Sequence, residues 1–318
     1  VCSSDLAALT VLFVGRLLLA QRAEEQVRLW ADARRAEGYS VSWRDLAIGG
    51  FPLSLELAFT EPLIARNGWS ATAPRLLVTL APWRLDTIAF AASTLSATGP
   101  GVDGTLAQAT ASLLLEAGRA SALIVEGNHA TARLRGDDLG TSDRARLTVD
   151  RFLPENGSQE AESLAGKVVL RHVQPAAKLA ARLLFADPFD LDLDGSVRGP
   201  LIDLAGWRDA GGIADLSRIR LTWGPITLDG NATVSLDDEM RPLGAGTAKL
   251  RGLNPVLDRL VAKGQVKAQE AAIAKVVLGL VSTQTADGGS EVSVPITAQN
   301  GRLFLGPVAV ATLRPVVE

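Results

Sequence analysis

Carboxylates at every second position, Asp190, Asp192 and Asp194, followed by Gly195, are the one spacing in this 318-residue chain that could hold a hard cation. A calcium loop uses that spacing and then closes with a bidentate carboxylate at its twelfth position. Counted from Asp190, the twelfth residue is Leu201 and the ninth is Arg198, so the coordination sphere does not close. A strand with its carboxylates on the wet face explains the same pattern. His129 and His172 are the only histidines, and neither has a second ligand at helical or turn spacing. No Gly-x-Ser-x-Gly elbow, phosphate loop or dinucleotide fingerprint occurs. The acidic Asp237-Asp238-Glu239 falls where a strand must turn. No metal, cofactor or catalytic residue is expected, and the chain does not read as an enzyme.

Composition narrows the partners. The chain is 47% hydrophobic and 21% charged, ample for a core, with a net charge of −3. A nucleic-acid binder needs a positive surface and, for single strands, aromatic platforms. One Tyr and a slight negative balance argue against both, so no nucleic-acid partner is expected. Cys2 is the only cysteine, which excludes an internal disulfide and a thiolate zinc site.

Residues 1–6, Val1-Cys2-Ser3-Ser4-Asp5-Leu6, have the form of a translated sequencing adapter and are set aside as a scar. Ala7 to Gly15 is apolar but too short, at ~1.5 Å per residue, to cross a hydrocarbon layer of ~30 Å. It reads as the end of a truncated membrane anchor, with a cleaved signal or a buried helix as alternatives. The stretch to Glu37 lacks proline and glycine after Gly15 and turns amphipathic. Val27, Trp30 and Ala31 share one side, with Arg28, Asp32 and Arg35 off it. Residues 7–37 are thus expected to be anchor plus surface helix.

From Gly38 onward the period is two. Leu53, Leu55, Leu57 and Phe59 alternate with small or polar residues, as do Leu76, Val78 and Leu80, and Ile226 to Leu236 alternates without a slip. Such strands bury one face and usually pair antiparallel. Weaker strand signals lie at Thr87–Ala92, Ala120–Glu126, Arg144–Phe152 and Lys167–Val173, with a turn-rich loop at Leu153–Ser163. Helices are expected at Pro175–Leu184, Leu201–Arg208, Asn254–Lys263 (capped by Asn254) and Gln265–Leu280, the last with Ile273, Val276, Val277 and Leu280 on a face. Gly224-Pro225 and Gly306-Pro307 each sit between two alternating runs, which suggests a shared hairpin design.

Trp30-Ala31-Asp32-Ala33-Arg34-Arg35-Ala36-Glu37-Gly38-Tyr39, then Leu46 and Gly49-Gly50-Phe51-Pro52-Leu53, resemble a Gram-negative bacterial family catalogued only as domain of unknown function 2125. The run from Ile226 to Gly230, Pro242 to Gly244, Asn254-Pro255 and Asn300 to Pro307 are similar to that family too. The resemblance implies one membrane helix at the N-terminus, with a β-rich body in the periplasm, and brings no catalytic residues. In build it is more distantly similar to AsmA-like envelope proteins, which are linked to lipid handling.

The expected fold is α+β, mainly β, an elongated and curved antiparallel sheet with packed helices behind an N-terminal membrane or amphipathic helix. A compact sandwich is the alternative. Residues 38–318 form the body, with halves 38–186 and 187–318. Strands outnumber covering helices, and each one-sided strand needs a partner for its apolar side. Leu53, Leu55, Leu57, Phe59, Leu76, Val78 and Leu80 are therefore candidate linings of a groove for an acyl chain, with ordinary core packing as the alternative. The functional expectation is a single-pass inner-membrane protein that binds or bridges lipid in the envelope. The alternative is a structural or assembly factor that meets an envelope protein and has no ligand groove.

Overall fold

Alternation of apolar and polar residues dominates this chain, and the backbone follows it into antiparallel strands. The computed structural model describes residues 21–50, 54–81, 83–117, 119–152, 163–180, 187–199, 204–264, 266–284 and 290–316. Residues 1–6, the apolar segment 7–15, most of the loop expected at Leu153–Ser163 and the junction expected near Ala186 lie outside them. Two compact units divide the chain, Val1–Thr148 and Val149–Glu318. Among the described residues no helix is long and apolar enough to cross a membrane.

The first described element of unit 1 is helix α1, residues 21–36. Ten strands follow: β1 (Ser40–Ser42), β2 (Asp45–Gly49), β3 (Leu55–Thr60), β4 (Leu63–Arg66), β5 (Trp69–Thr72), β6 (Arg75–Ala81), β7 (Arg84–Gly99), β8 (Val102–Glu116), β9 (Arg119–Leu134) and β10 (Asp137–Phe152), the last running into unit 2. β7 to β10 pair in sequence order as a meander. The free edge of β7 carries two arms. Its first half pairs with β6, which leads to β3 and β2. Its end, from Ser96 to Thr98, pairs with β5, which leads to β4 and β1.

These strands run longer than their local signals. Thr87–Ala92 and Ala120–Glu126 lie toward the starts of strands of 16 residues each, and β8 has no clear signal at all. Bulges are one reason. Gln108 and His129 both have φ of 48°, at register shifts on facing strands that cancel one another. Asn128 Nδ2 donates to Gln108 Oε1 across them at 2.7 Å. Each bulge inserts a residue and flips the alternation beyond it.

Unit 2 contains β11 (Ser163–Pro175), α2 (Ala177–Ala180), β12 (Phe189–Arg198), α3 (Leu204–Asp209), β13 (Ile213–Trp223), β14 (Ile226–Leu236), β15 (Pro242–Arg251), α4 (Leu253–Ala262), α5 (Ala268–Val281), β16 (Thr283–Gln284), β17 (Ser290–Gln299), β18 (Arg302–Leu305) and β19 (Val308–Thr312). Its order is β11–β12–β13–β14–β15–β17–β18–β19, all antiparallel, with β16 beside the start of β17. Both Gly-Pro pairs are two-residue hairpin loops, between Trp223 and Ile226 and between Leu305 and Val308. Gly224 and Gly306 have φ of 53° and 56°. A positive φ followed by proline's fixed negative φ is the type II′ arrangement, which matches strand twist.

Two helix expectations change. The N-cap of α4 is Gly252, in a left-handed conformation with φ 79°, rather than Asn254. A side chain there would strike the Pro225 carbonyl, so a contact distant in sequence sets the start. In α5 the stripe Ile273, Val276, Val277 and Leu280 faces outward instead of packing, and Ala271 is the buried residue.

One face of unit 2 is a ladder of cross-strand charges. Arg220 pairs with Asp229, and Glu291 receives Arg251 at 2.9 Å and Lys249 at 3.4 Å. The hydrogen bond from Arg251 holds the Glu291 carboxyl below its ordinary value, reinforced by Lys249 against the opposing effect of burial. Asp237 organises the β14–β15 turn, accepting the amides of Glu239 and Arg241 and the Arg241 side chain. Burial pushes its carboxyl up, but those hydrogen bonds outweigh it and hold it low.

A carboxylate lowered in the folded state stabilises the fold above its unfolded pKa, and that stabilisation is lost as pH falls through the folded value. Glu291→Gln should therefore lower the unfolding temperature at pH 7. The gap from the parent protein should close as pH drops below the ordinary value of 4.5, which thermal melts across pH 3 to 7 would check.

Candidate apolar binding groove

The two arms on β7 and helix α1 enclose a groove of about 510 Å³ in unit 1. Its floor is one face of β3, β6, β7 and β8. Leu57 lies opposite Val78, which lies opposite Phe90; Leu80 faces Ile88, which faces Leu113. Because side chains alternate, these residues and Phe59 and Leu76 all project to the same side. The second arm supplies Val41, Trp43, Ile64, Ala71 and Ala73, and β7 adds Leu95. Val27 and Trp30 of α1 form the lid, with Trp30 51% exposed at the mouth.

Local interactions hold this arrangement. Ala31, fully buried, lets α1 approach closely. Arg35 donates from Nε and Nη2 to the Val41 carbonyl and stands 5.9 Å from the Trp43 ring centre, fastening α1 to the start of the second arm. Trp43 in turn meets Phe59 edge-on, centroids 5.6 Å apart, which ties the second arm to the floor. At the root of that arm the Trp69 ring lies across Gly99, where a Cβ would collide with it.

Among the described residues the lining carries no ionisable side chain. Its polar members are Gln26, Ser42, Thr72 and the indoles. The Thr72 hydroxyl is already committed, donating to the Pro62 carbonyl at 2.9 Å. What the surface can do is exclude water around an aliphatic or aromatic body. It has no means to anchor a charge.

Five of the seven candidate residues, Leu57, Phe59, Leu76, Val78 and Leu80, converge on this groove. Leu55 shares the face, opposite Leu80, but is not part of the lining, and Leu53 lies outside the described residues. The sequence reading did not count the second arm, or the floor beyond β6, among the lining. It did identify the Val27–Trp30–Ala31 side of α1, without a hint that this side closes a groove.

The acidic run has a different setting. Asp190 Oδ1 accepts the His172 amide at 2.7 Å, at a bulge where His172 has φ of 51°. Asp192 pairs with Arg171, whose guanidinium it pushes up through that hydrogen bond. Asp194 lies between Lys167 at 3.4 Å and Arg218 at 3.9 Å. The run is therefore part of the charge ladder of unit 2. Among the described residues no group of acidic, His or Cys side chains could hold a metal.

The class defined by this fold and groove is an antiparallel β protein whose sheet carries an apolar concavity. The chain belongs to the family described as uncharacterized protein conserved in bacteria (DUF2125), which matches residues 17–314. No curated protein matches it.

Leu57 is 7% exposed on the groove floor, while Trp30 is half exposed above it. Leu57→Ala should cost about 2–4 kcal/mol, and Trp30→Ala about 1 kcal/mol or less. Urea unfolding of the two variants beside the parent checks the order.

Proposed function

We propose that this chain is a lipid-binding protein of the bacterial envelope, in which the groove of unit 1 takes an acyl chain. It is read as a binding protein and not an enzyme. Its apolar segment at Ala7–Gly15 is taken as belonging to a single inner-membrane anchor, with the body in the periplasm. The observation that carries the reading is the groove itself, open, about 510 Å³, and lined among the described residues without any ionisable group.

Apolar surface left in water costs roughly 25 cal/mol per Å², so a concavity of this kind is retained when something else covers it. Its volume falls within the ~300–1,000 Å³ of small-molecule sites. The occupant should be aliphatic along the buried length, because the described lining offers only a few neutral polar groups and no cation to pair with a headgroup. A polar head would remain at the mouth, where Trp30 and Ile64 are partly in water.

Lipid extraction from the purified chain followed by mass spectrometry should find an acyl lipid at near-stoichiometric amount. Leu57→Glu would empty the groove but threatens the fold, since Leu57 is buried. Ile64→Glu, at a position 37% exposed, is the cleaner variant. It should reduce bound lipid, and the fluorescence of added cis-parinaric acid, at least threefold at an unchanged melting temperature. Equal lipid in parent and Ile64→Glu, or none in either with no parinaric acid binding, sinks the reading.

The location has its own test. A reporter active only in the periplasm, fused to the C-terminus of an intact family member, should be active. Activity of a cytoplasm-only reporter at the same point refutes the assignment.

A further inference from the structure

Helix α5 packs inside out. Ala271 is buried, Ala274 and Leu278 are half-buried, and the helix contacts α4 and β17. Its branched residues point away: Ile273 is 60% exposed, Val276 66%, Val277 51%, Leu280 81% and Val281 58%. Positions 273, 276, 277 and 280 fall on one stripe at 3.6 residues per turn, so the outer side of α5 is a continuous aliphatic ridge. A contiguous exposed apolar patch of this kind marks an interaction surface.

We propose that this ridge docks unit 2 on the surface of a bilayer that contains anionic phospholipid. Charge complementarity supports the choice. The turn into α5 carries Lys263 and Lys267, both exposed and in no ion pair among the described residues. The ridge residues include no carboxylate. Glu270, near the start of the helix, accepts the Lys267 amide, and Lys275 is neutralised by Asp258. Two exposed cations in the turn that leads into the helix carrying this ridge suit acyl chains below a layer of phosphates.

A protein partner fits less well. Interface anchors are enriched in Trp, Tyr and Arg, and the ridge has none of them. Five partly exposed aliphatic side chains offer roughly 300–500 Å². Two such ridges pressed together would stay below the ~1,200 Å² at which stable interfaces begin. A bilayer asks for no matching partner surface, only an apolar side able to enter by ~5–10 Å.

The contact belongs to unit 2 and is independent of the groove in unit 1. It can be read site by site, so that binding through the N-terminal segment does not count. In the full chain carrying Cys2→Ser and Val277→Cys, a nitrobenzoxadiazole label at position 277 is mixed with vesicles of phosphatidylcholine, alone or with phosphatidylglycerol. The label should brighten and shift to the blue with phosphatidylglycerol vesicles. Val276→Glu with Leu280→Glu, both at well exposed positions, should cut that response at least fivefold while melting temperature and groove lipid content stay unchanged. Lys263→Glu with Lys267→Glu should weaken the response to anionic vesicles and leave the response to neutral ones as it was. A label silent to both vesicles overturns the proposal, as does an unchanged response in either paired variant. A response that instead grows with protein concentration in the absence of vesicles also overturns it, and assigns the ridge to a second copy.

Discussion

A sheet with one apolar face must have that face covered, and both units are organised around how little of the chain is available to do it. On the polar face of unit 2 the charges satisfy one another across strands, as Arg220 does with Asp229 and Glu291 with Arg251. Exposed pairs of this kind contribute only ~0–1 kcal/mol each. The folding free energy must therefore come from the opposite face, where Ala248, Val292 and Ala298 are buried. Among the described residues no large side chain is fully buried in either unit. The cover is thin, and it is made mostly of small residues.

Unit 1 meets the same constraint by bringing part of its own sheet over the rest. This depends on the length of β7. Sixteen strand residues span roughly 50 Å, enough for β6 to pair along the first half and β5 near the end. A strand of ordinary length would hold one arm. With two arms rooted on one edge, the second can come over the floor of the first, and Trp43 against Phe59 marks where they meet. The groove is the space that α1 and the arms leave between those contacts. It is built into the topology rather than left by one missing side chain.

The strands that were legible are those whose faces differ in kind. Leu55, Leu57 and Phe59 alternate with Glu56, Ala58 and Thr60, and Leu76, Val78 and Leu80 are as regular, so their shared face could be read from order alone. β7 and β8 were harder. Alanines at 89, 91, 92 and 97 of β7 suit either face, and β8 mixes alanines with a bulge at Gln108. No local period specifies that β5 returns to the end of β7, nor that Trp30 reaches the groove from before the first strand. The start of α4 failed for the same reason. Asn254-Pro255 is a sound local cap signal, but the Pro225 carbonyl beside Gly252 belongs to another strand. Periodicity gives the face of an element, and contacts distant in sequence decide what that face meets.

Helices α1 and α5 show how far this ambiguity reaches. Both have a stripe that periodicity identifies correctly, Val27–Trp30–Ala31 in one and Ile273–Val276–Val277–Leu280 in the other. The first stripe turns inward because it includes an alanine where the backbones are close and larger residues where the groove has room. In α5 the close approach to α4 and β17 falls to Ala271, on the opposite side of the helix. Interiors are packed to near-crystalline density, so an isoleucine or leucine in that place would force the helix away from its neighbours. Volume at the contact thus overrides hydrophobicity in orienting α5. Ile273, Val276, Val277 and Leu280 are turned out, each more than half exposed, while Ala271 and the half-buried Ala274 and Leu278 take the inner side.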